Sequence, residues 1–191
     1  METFVTNEYY SKSEYLEIER LELEKHEYFE GKVFLRGFVT INRNVIISNF
    51  FGDFTKSLKI QNYHIYASNF RVHIPKNTLF FYPDLSIFND APVCIDSEMD
   101  SVINPVVLIK ISSRIKTHLN YQEKFNLYKQ IETLKEYILI DSEAIKVIKY
   151  SKNDDNSWLM TEMNSLDEYL ILNSVQVEIS LNDIYDNVKF V

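Results

Sequence analysis

The chain has 191 residues, 46% hydrophobic and 25% charged, with 20 Lys+Arg against 28 Asp+Glu for a formal net charge of −8; one domain with a real core fits this length, and no apolar run approaches the roughly 20 residues that span a bilayer. A single cysteine, Cys94, excludes an intramolecular disulfide and multi-cysteine metal sites, and four histidines without an H-x-x-x-H or H-E-x-x-H pair exclude His-rich zinc hydrolases. Three glycines, none in a G-x-G, exclude dinucleotide fingerprints and phosphate-cradling loops, so carboxylates and lysines are left to carry any chemistry. In chain order, Ser13 ahead of E-Y-L-E-I-E-R predicts a capped first helix with acids in its first turn. Residues 26–35 predict a hairpin turning at Glu30 and Gly31. Asn42 is expected to cap a second helix reaching about residue 59, with Val45, Ile46, Phe50, Phe54 and Leu58 on one face. Strands are expected at 63–68, 70–74 and 81–88, the last with Pro83 near its start, where a missing N–H is tolerable. Residues 89–104, with Asp90, Pro92, Asp96, Glu98 and Asp100, read as a surface loop. The run V-V-L-I-K-I at 106–111 is nearly unbroken apolar sequence, the mark of a central strand buried on both faces. A helix over 119–133 precedes strands at 136–140 and 145–150, a turn at 154–156, strands at 158–163 and 175–179, and a short C-terminal helix. This interleaving predicts an α/β (α+β) class, a mixed central sheet flanked by helices.

Charge is uneven. Residues 1–30 hold nine acids and three bases, whereas 110–135 hold six bases (Lys110, Arg114, Lys116, Lys124, Lys129, Lys135) against two acids, Glu123 and Glu132. Such a stripe is either a solvated helix face or a footprint for phosphate, with Arg114, Lys116 and Lys129 as the contacts. Lys110 stands out because an unpaired ammonium inside a buried strand is costly. It either reaches solvent at the strand end or lines a polar site with Asp84, which opens an otherwise apolar strand, and Lys124 on the next helix. Magnesium-dependent phosphodiester hydrolysis needs two carboxylates on the metal and an assisting lysine, so a cation at one carboxylate's place removes the metal's complement. Trp158, His64 and His73 read as structural, His118 is assigned no role, and Cys94, in a loop with no base near it in sequence, is not expected to be a nucleophile. The opening M-E-T-F-V-T-N-E-Y-Y has neither a basic nor an apolar leader region, so a cytoplasmic location is expected.

Several motifs in order carry a resemblance. They are E-Y-x-x-G at 27–31, Ser68 ahead of F-R-V-H-I, Y-P-D-L-S-I at 82–87, and N-P-V-V-L-I at 104–109 with E-K-F-x-x-Y at 123–128. L-K-E-Y-I-L-I-D at 134–141 and the late Ile184-Tyr185 complete the set. Together these are similar to the Uma-type restriction endonuclease family of bacteria, within the PD-(D/E)xK nuclease superfamily. The resemblance implies one restriction-endonuclease-like domain over 1–191, with a helix and hairpin at 13–36, a core at 42–150, and closing strands and helix at 157–188. It implies Asp84 as the metal-binding aspartate and Lys124 as the catalytic lysine, with Mg²⁺ as the family's cofactor. Lys110 falls where that family places its second metal-binding carboxylate, Lys32 where an acid commonly follows the glycine, Asn42 where it has a histidine, and Asn120 where it has an aspartate. The expectation is that the Lys110 ammonium takes the metal's position and pairs with Asp84, leaving Mg²⁺ unbound.

Three functions follow from this in order of preference. The first is a catalytically degenerate nuclease-fold protein that retains nucleic-acid binding. The second is an active Mg²⁺-dependent DNA endonuclease using substitute acids, with Glu30 and Glu123 nearest in sequence. The third is an interaction or assembly protein. Expected partners are DNA and a second copy of the chain through exposed sheet edges, with no membrane.

Overall fold

The computed structural model describes residues 9–37, 40–60, 63–67, 69–113 and 118–190, with side chains described throughout these except at 53, 55–60 and 118–120. Ser11 and Glu14 cap each other reciprocally and start α1 (Lys12–Leu21): the Ser11 side chain accepts the Glu14 N–H, and Glu14 accepts the Ser11 N–H at 2.7 Å. The expected cap, Ser13, lies inside the helix because Leu16, not an acid, stands three residues beyond it. The hairpin β1 (His26–Phe29) and β2 (Lys32–Leu35) forms as expected. Glu30 and Gly31 have φ of 48° and 85°, the left-handed pair that a two-residue hairpin turn demands. A Cβ at Gly31 would come within 2.8 Å of the Tyr9 ring.

Helix α2 (Ile41–Ile60) is capped by Thr40, whose hydroxyl accepts the Arg43 N–H at 3.2 Å. Asn42 is not the cap. Its amide donates to Ser142 O at 2.9 Å and Lys189 O at 2.8 Å, tying the helix start to the C-terminal segment. After β3 (Tyr63–Ala67) and β4 (Arg71–Ile74), the strand expected at 81–88 is two strands in two sheets. Pro83 supplies no N–H, so the ladder ends with β5 (Leu79–Phe81) and resumes as β6 (Leu85–Asn89). The acidic loop carries β7 (Ser101–Val102), parallel to β4. Strand β8 (Val107–Ser112) crosses through α3 (His118–Tyr128) to the parallel strand β9 (Glu136–Asp141). Helix α3 stops short of residue 133. The N–H groups of Gln130 and Ile131 bond three residues back, a tighter turn from which Ile131 and Leu134 drop into the core. Strands β10 (Val147–Lys152) and β11 (Trp158–Met163) follow, then a hairpin of β12 (Tyr169–Leu172) and β13 (Val177–Ser180), and α4 (Leu181–Ile184).

The strands form sheets ordered β2-β1-β5-β4-β7, β11-β10-β9-β8-β6-β3, and β12-β13. Strand β8 sits inside the six-stranded sheet between antiparallel β6 and parallel β9, as its apolar run predicts. Its alternation sorts the two faces. Val107, Ile109 and Ile111 pack with Ile46, Phe50 and Phe54 of α2, while Leu108 packs with Phe125 and Tyr128 of α3. Lys110 shares the parity of Leu108 and so stands on the α3 side. Among the described residues no helix is long and apolar enough to cross a membrane.

Candidate functional site

The break at Pro83 puts Asp84 at the corner where one sheet hands the chain to the other, and its side chain is fully buried. The Asp84 N–H donates to Ile109 O at 2.9 Å, and its Oδ2 accepts the Ile111 N–H at 2.7 Å, so both backbone and side chain lock onto β8. Its Oδ1 accepts from Arg43 Nε at 2.5 Å and also pairs with Nη2 of the same guanidinium. Arg36, at the end of β2, places Nη2 3.6 Å from that oxygen and its guanidinium 5.6 Å above the Tyr82 ring. Burial pushes the Arg36 pKa down, Arg43 beside it adds to this, and Asp84 and Glu27 offset part of it.

A second carboxylate converges. Glu27 of β1 is 8% exposed and faces two lysines, with Lys110 Nζ 3.8 Å from Oε1 and Lys124 Nζ 3.4 Å from Oε2. Lys110 also donates to Tyr82 O at 3.1 Å. Burial works to raise the Glu27 pKa, but Lys124, Lys110 and Arg36 outweigh it and hold the carboxyl below its ordinary value. Burial pushes the Lys110 pKa down, against the opposing pull of Asp84 and Glu27. Glu19 of α1 braces both carboxylate-bearing segments. It accepts the His26 N–H at 3.1 Å, next to Glu27, and the Tyr82 hydroxyl at 2.7 Å, two residues before Asp84.

Asp84, Lys110 and Lys124 thus meet, but with partners the sequence did not name. Lys110 makes its ion pair with Glu27, whereas Asp84 is paired with Arg43 and Arg36. Asn42 lies with Ser142 and Lys189 instead. The Asn120 side chain, Arg114 and Lys116 lie outside the described residues, and Lys129 is exposed just beyond α3. Glu27, Arg36 and Arg43 were missed. Arg43 had a readable signal, because it heads the Ile46, Phe50, Phe54 stripe at helical spacing, a cation in line with a buried face.

The elements make a mixed α+β protein with a buried aspartate after a proline and a lysine-bearing helix beside it. The Uma2 family profile, described as "Putative restriction endonuclease", matches residues 13–183, and the chain belongs to that family. It is 28% identical over 163 residues to "Uncharacterized protein sll1609" of Synechocystis sp. (strain ATCC 27184 / PCC 6803 / Kazusa), spanning 85% of this chain and 92% of that protein. To "Uncharacterized protein slr1290" of the same organism it is 28% identical over 181 residues, spanning 94% and 93%. A crystal structure of "a putative nuclease belonging to DUF820 from Anabaena variabilis ATCC 29413" shares the fold, with a TM-score of 0.71 and 17% identity over 91% of this chain and 96% of that one.

The divalent metal that such a family implies does not fit the side chains here. Among the described residues no three His, Cys, Asp or Glu side chains converge as a ligand set. Both Asp84 oxygens already accept donors, and Lys110 stands beside Glu27 where a second ligand's charge would be needed.

Proposed function

We propose that this protein is a nuclease-fold domain that does not hydrolyse phosphodiesters by metal-ion catalysis and that binds nucleic acid through the same region. The observation carrying this reading is the Arg43 guanidinium on Asp84 Oδ1, with the Ile111 N–H on Oδ2. A hard dication needs anionic oxygens, and here the carboxylate's charge is already balanced from within the chain. Like charges about 4 Å apart repel by about 4 kcal/mol at an effective dielectric of 20, so a cation entering beside Arg43 and Lys110 meets a strongly opposing field.

The test is titration calorimetry with Mn²⁺ together with a plasmid-nicking assay in Mn²⁺. No saturable binding at millimolar metal and no nicking are expected. Nicking that disappears in Asp84→Ala would overturn the proposal. One feature favours a second reading, an active Mg²⁺-dependent endonuclease. Glu27, rather than the exposed Glu30 or Glu123, brings a second carboxylate to the site beside Lys124. The same nicking assay separates the two readings.

A further inference from the structure

Among the described residues, four cationic side chains, Arg36, Arg43, Lys110 and Lys124, stand around two carboxylates, Glu27 and Asp84, a formal surplus of two positive charges. Its two halves differ in access. Asp84 and Arg43 form the closed inner half, whereas the Lys110 and Lys124 side chains keep 19% and 27% exposure on the outer half. The contacts of these lysines to Glu27, at 3.8 and 3.4 Å, are longer than the 2.7–2.9 Å of a tight charge-assisted hydrogen bond. An ammonium has three donors, so Lys110, which gives one to Tyr82 O, can turn another toward a second anion without leaving Glu27, and Lys124 adds its charge beside it. Ser112 follows Lys110 on the same face of β8, and Tyr121 precedes Lys124 by one turn of α3. The Ser112 and Tyr121 hydroxyls bond to each other, linking the strand and helix that carry the two lysines.

We propose that this lysine pair is a metal-free site for a doubly charged phosphate, the terminal phosphate monoester of a nucleic-acid strand, with the bonded Ser112 and Tyr121 hydroxyls beside it supplying at most one neutral donor. The proposal rests on the reading of the site as filled by the chain's own cations. Charge selects the strand end. A monoester carries about −1.5 to −2 at pH 7 and matches the surplus, whereas an internal diester carries a single charge and leaves part of it uncompensated. Arg36 and Arg43, largely buried, act as a fixed positive background that a ligand feels without touching.

The experiment measures fluorescence anisotropy in EDTA with one short single-stranded oligonucleotide carrying either a 5′-phosphate or a 5′-hydroxyl, and with inorganic phosphate as competitor. The phosphorylated strand is expected to bind about tenfold tighter, the scale of one charge-assisted hydrogen bond. Lys124→Gln, which leaves Lys110 to face Glu27, is expected to abolish that preference with an unchanged circular dichroism spectrum, and Lys129→Gln to keep it. Equal affinity for the two strands, or a preference that survives Lys124→Gln, would overturn the proposal. Inorganic phosphate that binds as tightly as the phosphorylated strand would overturn the assignment to nucleic acid. Mn²⁺-dependent nicking would instead sink the underlying reading, and EDTA keeps the two outcomes separate.

Discussion

Arg43 is 7% exposed and its guanidinium lies on a carboxylate that is fully buried. Breaking such a pair from one side leaves a desolvated charge alone, which costs more than the pair itself contributes. Arg43→Met is therefore expected to destabilise the fold by about 3 kcal/mol, the low end for a broken buried pair, because Arg36 stays 3.6 Å from Asp84. Arg43→Met with Asp84→Asn should recover much of that loss, since the neutral amide oxygen still accepts the Ile111 N–H. Urea unfolding of the two single variants and the double variant measures this, and a double variant no more stable than Arg43→Met would refute the pairing energy. At this scale the site was half legible. Asp84 was readable because it opens an otherwise apolar strand, and Lys124 was named through the family resemblance. The partners of Asp84 were not readable, because Arg36 and Arg43 reach it only through a corner between two sheets, and no local periodicity encodes that corner.

His73 links three elements, and its pH response belongs to their packing. Its ring on β4 stacks on Phe80 of β5 at 4.0 Å, Nδ1 donates to Leu79 O at 3.2 Å, and Nε2 faces the Lys12 ammonium of α1 at 3.4 Å. Burial pushes its pKa down to about 4; the Leu79 carbonyl opposes the shift, and Lys12 and Arg71 add to it. Between pH 6.5 and about 4 the unfolded chain binds a proton that the folded chain refuses. Stability therefore falls as pH drops through that window and levels off below it, by about 3 kcal/mol in all from this group at about 1.4 kcal/mol per unit. His73→Phe keeps the stack and removes the titration, so its unfolding free energy should depend less on pH across the window than that of the wild type. Equal pH slopes would show that the imidazole titrates normally. Element-level patterns explain which segments were legible. The hairpin at 26–35 and the run in β8 have strong local signals, and both formed where expected. The β12 strand was missed because Y-L-I-L is apolar at every position, so its alternating exposure leaves no period-two trace in the sequence. The two-residue β7 was missed because it is too short for a period and is held by non-local pairing with β4, helped by the ion pair of Arg71 with Asp100 at 2.7 Å.

At the scale of the whole molecule, a chain of net charge −8 repels a polyanion, yet its candidate site carries a local positive surplus. The basic run at 110–135 was expected to be either a solvated helix face or a footprint for phosphate. Two of its members, Lys110 and Lys124, instead turn toward Glu27 and keep only partial exposure. Affinity for a charged strand falls with salt in proportion to the phosphates neutralised, with a log–log slope of about 0.7 per contact on single strands. Two lysines on one terminal phosphate therefore set a slope magnitude of at most about 1.5. Screening of the acidic remainder, with a Debye length of about 10 Å at 0.1 M salt, reduces long-range repulsion and flattens the slope further. Anisotropy titrations between 50 and 300 mM NaCl are thus expected to give a shallow dependence. A slope magnitude near 4 or above, lowered by charge removal at Arg114, Lys116 and Lys129 but not at Lys124, would move the interface to the rest of the basic run at 110–135, since only many simultaneous phosphate contacts release that many counterions.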